Sequence, residues 1–134
     1  MQTYFVDTWF LIALHDRFDG HHQHATRLGS SLSRAMLFTH DAVLTEMLAH
    51  FADDGPHART RAAGIARDLL VAIDVIAADR RLFLRALDRY AARPDKEYSL
   101  VDCMSMIVME ERGVRHVLTN DHHFAQAGFV VVSQ

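Results

Sequence analysis

The chain has 134 residues, half of them apolar and 23% charged, with 14 Lys plus Arg set against 17 Asp plus Glu for a formal net charge of −3. This is the composition of a single globular domain, residues 1–134, and it excludes disorder, collagen-like repeats and a multidomain organisation. A strongly basic nucleic-acid binder is excluded on bulk charge, so an anionic partner has to be held by a local patch or through a bound cation.

A chain of this length buries roughly two-thirds of its unfolded surface and needs no disulfide or metal staple. The single cysteine, Cys103, lies in an apolar run and reads as a small buried hydrophobe. Met1–Val6 lacks a positively charged leader, and no stretch approaches the ~20 apolar residues that span a bilayer. The expectation is a soluble, cytoplasmic protein with no membrane association.

In chain order, Thr3–Val6 is a β-rich run, followed by an apolar segment from Trp9 to Leu14. Asp19 is placed to cap a helix running to about Arg34. Met36–Thr39 reads as a second strand, and Asp41 as the cap of a helix to about Phe51. After Pro56 a longer helix runs through Leu70, and Val71–Ala77, with Ile73, Val75 and Ile76, reads as a third strand. Asp79 caps a helix to about Ala92, and Ser99 opens one to about Arg112 that Gly113 closes. His116–Leu118 is a fourth strand, Asp121 caps a short helix ending at Gly128, and Phe129–Val132 is a fifth strand. Strands alternating with helices imply an α/β fold, a parallel sheet with helices on both faces. Ligands of such sheets bind beyond the carboxyl ends of the strands, where the strand order reverses.

Four carboxylates fall in that region. Asp7 directly follows the first strand, and Asp121 follows the fourth after Thr119 and Asn120. Each serves equally well as an N-cap, and a capping Asp keeps a second oxygen for a metal. Asp102 lies in a stretch, Leu100–Met109, whose apolar positions cover nearly the whole helical circumference. An unpartnered ionised carboxylate there would cost several kcal/mol, although Ser99 and Asp102 also have the spacing of a capping box. Glu46 sits at the edge of the stripe made by Val43, Leu44, Met47, Leu48 and Phe51, as a boundary residue or as a group facing the rim of the sheet. Carboxylates drawn together repel unless a cation lies among them, and an all-oxygen set suits Mg²⁺ or Mn²⁺. Such ions promote in-line attack of water on a phosphodiester.

These residues resemble those of the PIN-domain family, and in particular the VapC-type toxin ribonucleases of toxin-antitoxin pairs. The resemblance rests on Phe5-Val6-Asp7-Thr8, Thr45-Glu46, Ser99-Leu100-Val101-Asp102-Cys103 and Thr119-Asn120-Asp121-His122-His123-Phe124, and it covers essentially the whole chain. It implies a three-layer sandwich around a five-stranded parallel sheet and a Mg²⁺ or Mn²⁺ site on Asp7, Glu46, Asp102 and Asp121. It also implies endoribonuclease activity on RNA, a cognate antitoxin and a homodimer. Asp7 and Asp102 are expected as direct ligands, Asp121 as a direct or water-mediated one, and Glu46 as the group that helps activate the attacking water. Thr8, Lys96, Ser105, Thr119 and Asn120 are further candidates for substrate binding. Thr119 is expected to orient Asp121, and Ser105 is either a substrate contact or a small residue in a tight helix contact.

The remaining polar residues have plainer readings. His21, His22, His24, His122 and His123 lack the cysteine partners or His-Glu-x-x-His spacing of a zinc site. His123 matches the His that commonly precedes Phe in the family. Arg81, Arg85 and Arg89 form one helical stripe, either a solvated face interleaved with Asp79 and Asp88 or a phosphate-binding one. A catalytically silent assembly module that presents Trp9, Phe10 and Phe18 is the alternative function, and a receiver-like phosphoacceptor domain fits less well because no lysine follows a late strand.

Overall fold

A computed structural model describes residues 1–133. Its elements are β1 (Thr3–Val6), α1 (Thr8–His15), α2 (His22–Ser31), β2 (Met36–His40), α3 (Asp41–His50), α4 (Pro56–Ala72), β3 (Asp74–Ile76), α5 (Arg80–Ala92), α6 (Leu100–Arg112), β4 (His116–Leu118), α7 (His122–Gln126) and β5 (Val130–Val132). The strands form one all-parallel sheet in the order β3-β2-β1-β4-β5. The chain leaves β1 toward one edge through β2 and β3, then returns to the other side of β1 with β4. The order therefore reverses between β1 and β4, where Phe5 pairs with Val117 and Val6 with Leu118.

The apolar runs of the central strands are buried where helices cover both faces of the parallel sheet, while the edge strands β3 and β5 are only partly covered. Phe5, Phe38, Val117 and Leu118 carry essentially no exposed surface, and Phe5 meets Phe38 edge-to-face with centroids 5.4 Å apart. Helix α6 runs through this core, its residues Cys103–Met109 all buried. It is capped at both ends as the sequence indicates. Ser99 and Asp102 form a reciprocal capping box, and Gly113 takes the left-handed conformation (φ 65°) that ends the helix.

Several local expectations change. Asp19 does not cap α2; it accepts the His21 N–H at 2.8 Å in a turn, and α2 is the shorter helix His22–Ser31. Asp41 is the first residue of α3, and its carboxylate accepts the Ala78 N–H at 3.2 Å, tying α3 to the segment after β3. Helix α4 continues through Val71 and Ala72 into sequence read as strand, so β3 is only Asp74–Ile76. The β-branched preference of Val71 is overridden by continued helix hydrogen bonding, which ends only where Ile73 turns extended. No helix among the described residues is long and apolar enough to cross a membrane.

Candidate active site

The four carboxylates come from four separate elements at the carboxyl edge of the sheet, and their charges act on one another: Asp102 and Glu46 on Asp7, Asp102 on Glu46, and Asp121 on Asp102. Asp7 sits at the β1–α1 junction, only 6% exposed, and its side chain makes no cap to the first turn of α1. Instead Asp7 Oδ2 accepts the Thr119 hydroxyl at 2.7 Å, from the residue just beyond β4. The same Thr119 oxygen accepts the Asp121 backbone N–H at 3.1 Å. One hydroxyl thus links the two strand ends on either side of the switch point and orients both acids. Thr119 is fully buried, so it acts as a brace and not as a surface contact.

Glu46 is brought in from α3 by a hydrogen bond from the Thr8 hydroxyl to its Oε1. Asp102 enters from the first turn of α6, where its Oδ2 accepts the Ser99 N–H at 3.1 Å. Asp121 caps α7 by accepting the His123 N–H on Oδ1 at 2.9 Å. The capped oxygens, Asp102 Oδ2 and Asp121 Oδ1, each accept one backbone N–H and keep a second lone pair.

The electrostatics record how closely the acids approach. Burial raises the Asp7 carboxyl from 3.8 to about 7, against the opposing Thr119 hydroxyl and Thr8 N–H, with the charges of Asp102 and Glu46 adding to the rise. Burial also raises Glu46 and Asp102, with the Asp102 charge acting on Glu46 and the Asp121 charge on Asp102. Among the described residues no Lys or Arg pairs with any of the four. Four carboxylates with no Lys or Arg to balance them fit a hard divalent cation, whose oxygen ligands they would supply.

One further group, His123, lies between two of the acids. Its Nδ1 is 3.1 Å from Asp121 Oδ1 and 3.5 Å from Asp102 Oδ2, and the atom is buried without a hydrogen-bond partner. The ring is held edge-on to Tyr98, with centroids 5.7 Å apart. The sequence singled out His123 only by its place before Phe124. The spacing from Asp121 put it in the first turn of α7, but its approach to Asp102 depends on α6.

Ser105 is fully buried, donating to the Val101 carbonyl and meeting His40 Nε2 at 2.9 Å, so it matches the tight helix contact and not a substrate contact. His40, at the end of β2, is a buried polar residue that periodicity did not mark. Burial holds its ring down at about 4, and therefore neutral. Lys96 lies in the loop before α6, where its charge acts on Asp95, and no hydrogen bond or ion pair joins it to the four acids. Asn120 is exposed beside Asp121. The arginine stripe is solvent-exposed, as a solvated face should be, with Arg81 72% exposed, but it is also tied to the neighbouring helix. Arg85 pairs with Glu111 and Arg89 with Glu110 at 2.6 Å, joining α5 to the acidic end of α6. Phe10 is 3% exposed and Trp9 is half-buried, leaving only Phe18, 84% exposed, of the apolar surface expected on an assembly module.

A cavity of about 1080 Å³ opens where α1, α3 and α4 converge, lined in part by Asp16, Arg17, Phe18, His50, His57 and Arg61. His50 is one helical turn from Glu46 along α3, a rise of about 6 Å. Arg17 stacks over the Phe18 ring at 4.8 Å. Arg61 donates to the His15 carbonyl at 2.8 Å, and among the described residues neither arginine is engaged by a carboxylate.

The family model for the PIN domain matches residues 4–130. The chain belongs to the PIN domain family. It is 33% identical over 129 residues to the 23S rRNA-specific endonuclease VapC20 of Mycobacterium tuberculosis, spanning 96% of each chain. The crystal structure of M. tuberculosis VapC20, described as a sarcin-ricin loop cleaving toxin, superposes with a TM-score of 0.87 at 32% identity, covering 98% of this chain and 99% of that one. VapBC2 from Rickettsia felis, solved with a promoter DNA fragment, shares the fold at a TM-score of 0.71 but only 9% identity, with 98% of each chain covered. Within the PIN family, the kinship of this chain is with VapC-type toxin ribonucleases.

Proposed function

We propose that the protein is a divalent-metal-dependent endoribonuclease, the toxin of a toxin-antitoxin pair acting in the cytoplasm. The observation that carries this reading is the grouping of Asp7, Glu46, Asp102 and Asp121 about the β1/β4 switch point, with no Lys or Arg paired to any of them among the described residues. Kinship with a VapC endonuclease across the whole fold supports nuclease activity over a silent assembly module. A Mg²⁺ or Mn²⁺ ion bound there supplies positive charge to the scissile phosphate and lowers the pKa of coordinated water.

The chain's own residues supply the rest. Asp7 and Asp102 would hold the ion, with Asp121 completing the set directly or through water. Thr8 holds Glu46 Oε1, and the raised pKa of Glu46 suits a base that takes the proton from the attacking water as the water oxygen bonds to phosphorus and the P–O bond to the leaving nucleotide breaks, the leaving oxygen taking its proton from solvent. Arg17, Phe18 and Arg61 receive nucleotides flanking the cut, offering unpaired guanidinium groups to phosphates and a stacking face to a base. Large-subunit ribosomal RNA is the substrate class that the activity of the related endonuclease points to. The exposed apolar residues Phe83, Leu84, Leu87 and Tyr90 along α5 support a homodimer.

The test is RNA cleavage by the wild type and by Asp102→Asn, with mapping of the new RNA ends. The wild type is expected to cut only with Mg²⁺ or Mn²⁺ present, and Asp102→Asn to cut at background. Equal cleavage by both, or cleavage in EDTA, overturns the reading.

A further inference from the structure

We propose that His123 Nδ1 is itself a ligand of the divalent ion, joining Asp102 and Asp121 to make a mixed nitrogen-oxygen site that prefers Mn²⁺ to Mg²⁺. This rests on the reading of the carboxylate crevice as a metal site.

The first argument is geometric. With bonds of about 2.1 Å, neighbouring ligands of an octahedral ion lie about 3 Å apart. Nδ1 is 3.1 Å from Asp121 Oδ1 and 3.5 Å from Asp102 Oδ2, so it stands near the spacing of a neighbouring ligand from each acid in turn. The second argument concerns Nδ1 itself. A buried imidazole nitrogen without a partner loses its hydration and gains nothing in return. An imidazolium donating to Asp121 would explain the short distance, but the ring is not aligned for a hydrogen bond to either carboxylate. A lone pair directed at a shared cation meets no such difficulty.

The neighbouring histidine sharpens the assignment. His122 belongs to the same cluster, in which one donor atom each of Asp121, His122 and His123 lie within 4.8 Å of one another. Its side chain is 74% exposed, however, and stays hydrated whether or not an ion is present. Only His123 is enclosed, pinned between Tyr98 and the two acids. Mg²⁺ binds oxygen and gives up its water reluctantly, whereas imidazole suits transition-metal ions. A nitrogen at this position therefore favours Mn²⁺.

Electron spin-echo spectroscopy of Mn²⁺ on the full chain reads the ligand directly. The expected wild-type spectrum carries ¹⁴N modulation that becomes ¹⁵N modulation when histidine is ¹⁵N-labelled. His123→Phe preserves the ring's contact with Tyr98; it is expected to lose the nitrogen modulation and to bind Mn²⁺ about tenfold or more weakly, with Mg²⁺ affinity nearly unchanged. Mn²⁺ bound by the wild type without nitrogen modulation overturns the proposal while leaving the metal-dependent reading intact. So does an equal loss of Mn²⁺ and Mg²⁺ affinity in His123→Phe, which is what a ring that only positions Asp121 would give. No Mn²⁺ binding at millimolar concentration removes both. Should His123→Phe fail to fold, the labelled wild type decides alone.

Discussion

Asp7→Asn should stabilise the metal-free protein, and more so as the pH rises. The Asp7 carboxyl titrates at about 7 in the native state against 3.8 as its reference value, so between these values the folded protein holds a proton that the unfolded chain has released. Native stability therefore falls with rising pH across this window, fully spared below pH 3.8 and fully penalised above 7. The penalty from this one group is less than about 1 kcal/mol at pH 4 and about 4 kcal/mol at pH 8. The amide introduced by Asp7→Asn retains an oxygen to accept the Thr119 hydroxyl and carries no charge. In EDTA at pH 8 the melting temperature of this variant should therefore exceed that of the wild type by about 10 °C. At pH 4 the two should nearly coincide. Saturating Mn²⁺ should reverse the order, because it stabilises only the protein that can bind it. Thermal unfolding followed by circular dichroism, at both pH values with EDTA or Mn²⁺, measures all four cases. A variant no more stable than the wild type at pH 8 in EDTA, or a gain of equal size at pH 4, would refute the argument that Asp7 is a buried carboxylate forced among like charges.

Ser105→Ala should leave His40 Nε2 without its partner in the core and cost about 1–3 kcal/mol in urea unfolding, with the KM for RNA unchanged. A raised KM without a stability loss would return Ser105 to the substrate surface. Arg17→Ala and Arg61→Ala should each raise the KM for RNA at constant kcat, and each should flatten the salt dependence of single-stranded RNA binding by about 0.7 in log-log slope. An unchanged slope would place the RNA elsewhere.

The fold class and much of the site followed from the one-dimensional order of residues. Alternating strands and helices dictate a parallel sheet, and Asp7 and Asp121 stand where such sheets place their ligands. The Ser99–Asp102 capping box and Gly113 are local devices, and local devices are legible because their partners lie within a few residues. The less legible features mostly involve partners far apart in the chain. Val71 is a local exception, continuing α4 because the preceding turns carry it against its own strand preference. The partners of Arg85 and Arg89 along α5 are hidden until α6 brings Glu111 and Glu110 beside them. Ser105 and His40, 65 positions apart, become a buried pair only when β2 ends against α6.

The carboxylates divide in the same way. The candidate acids were picked out by their positions at strand ends and in first helical turns. How they act depends on tertiary contacts: the Thr119 hydroxyl across 112 residues to Asp7, the Thr8 hydroxyl across 38 to Glu46, and His123 meeting Asp102 from another helix. Hydrogen bonds and charge repulsion fall off over a few ångströms, so periodicity and capping rules determine the elements, but only the packed chain determines which polar atoms come within range of one another.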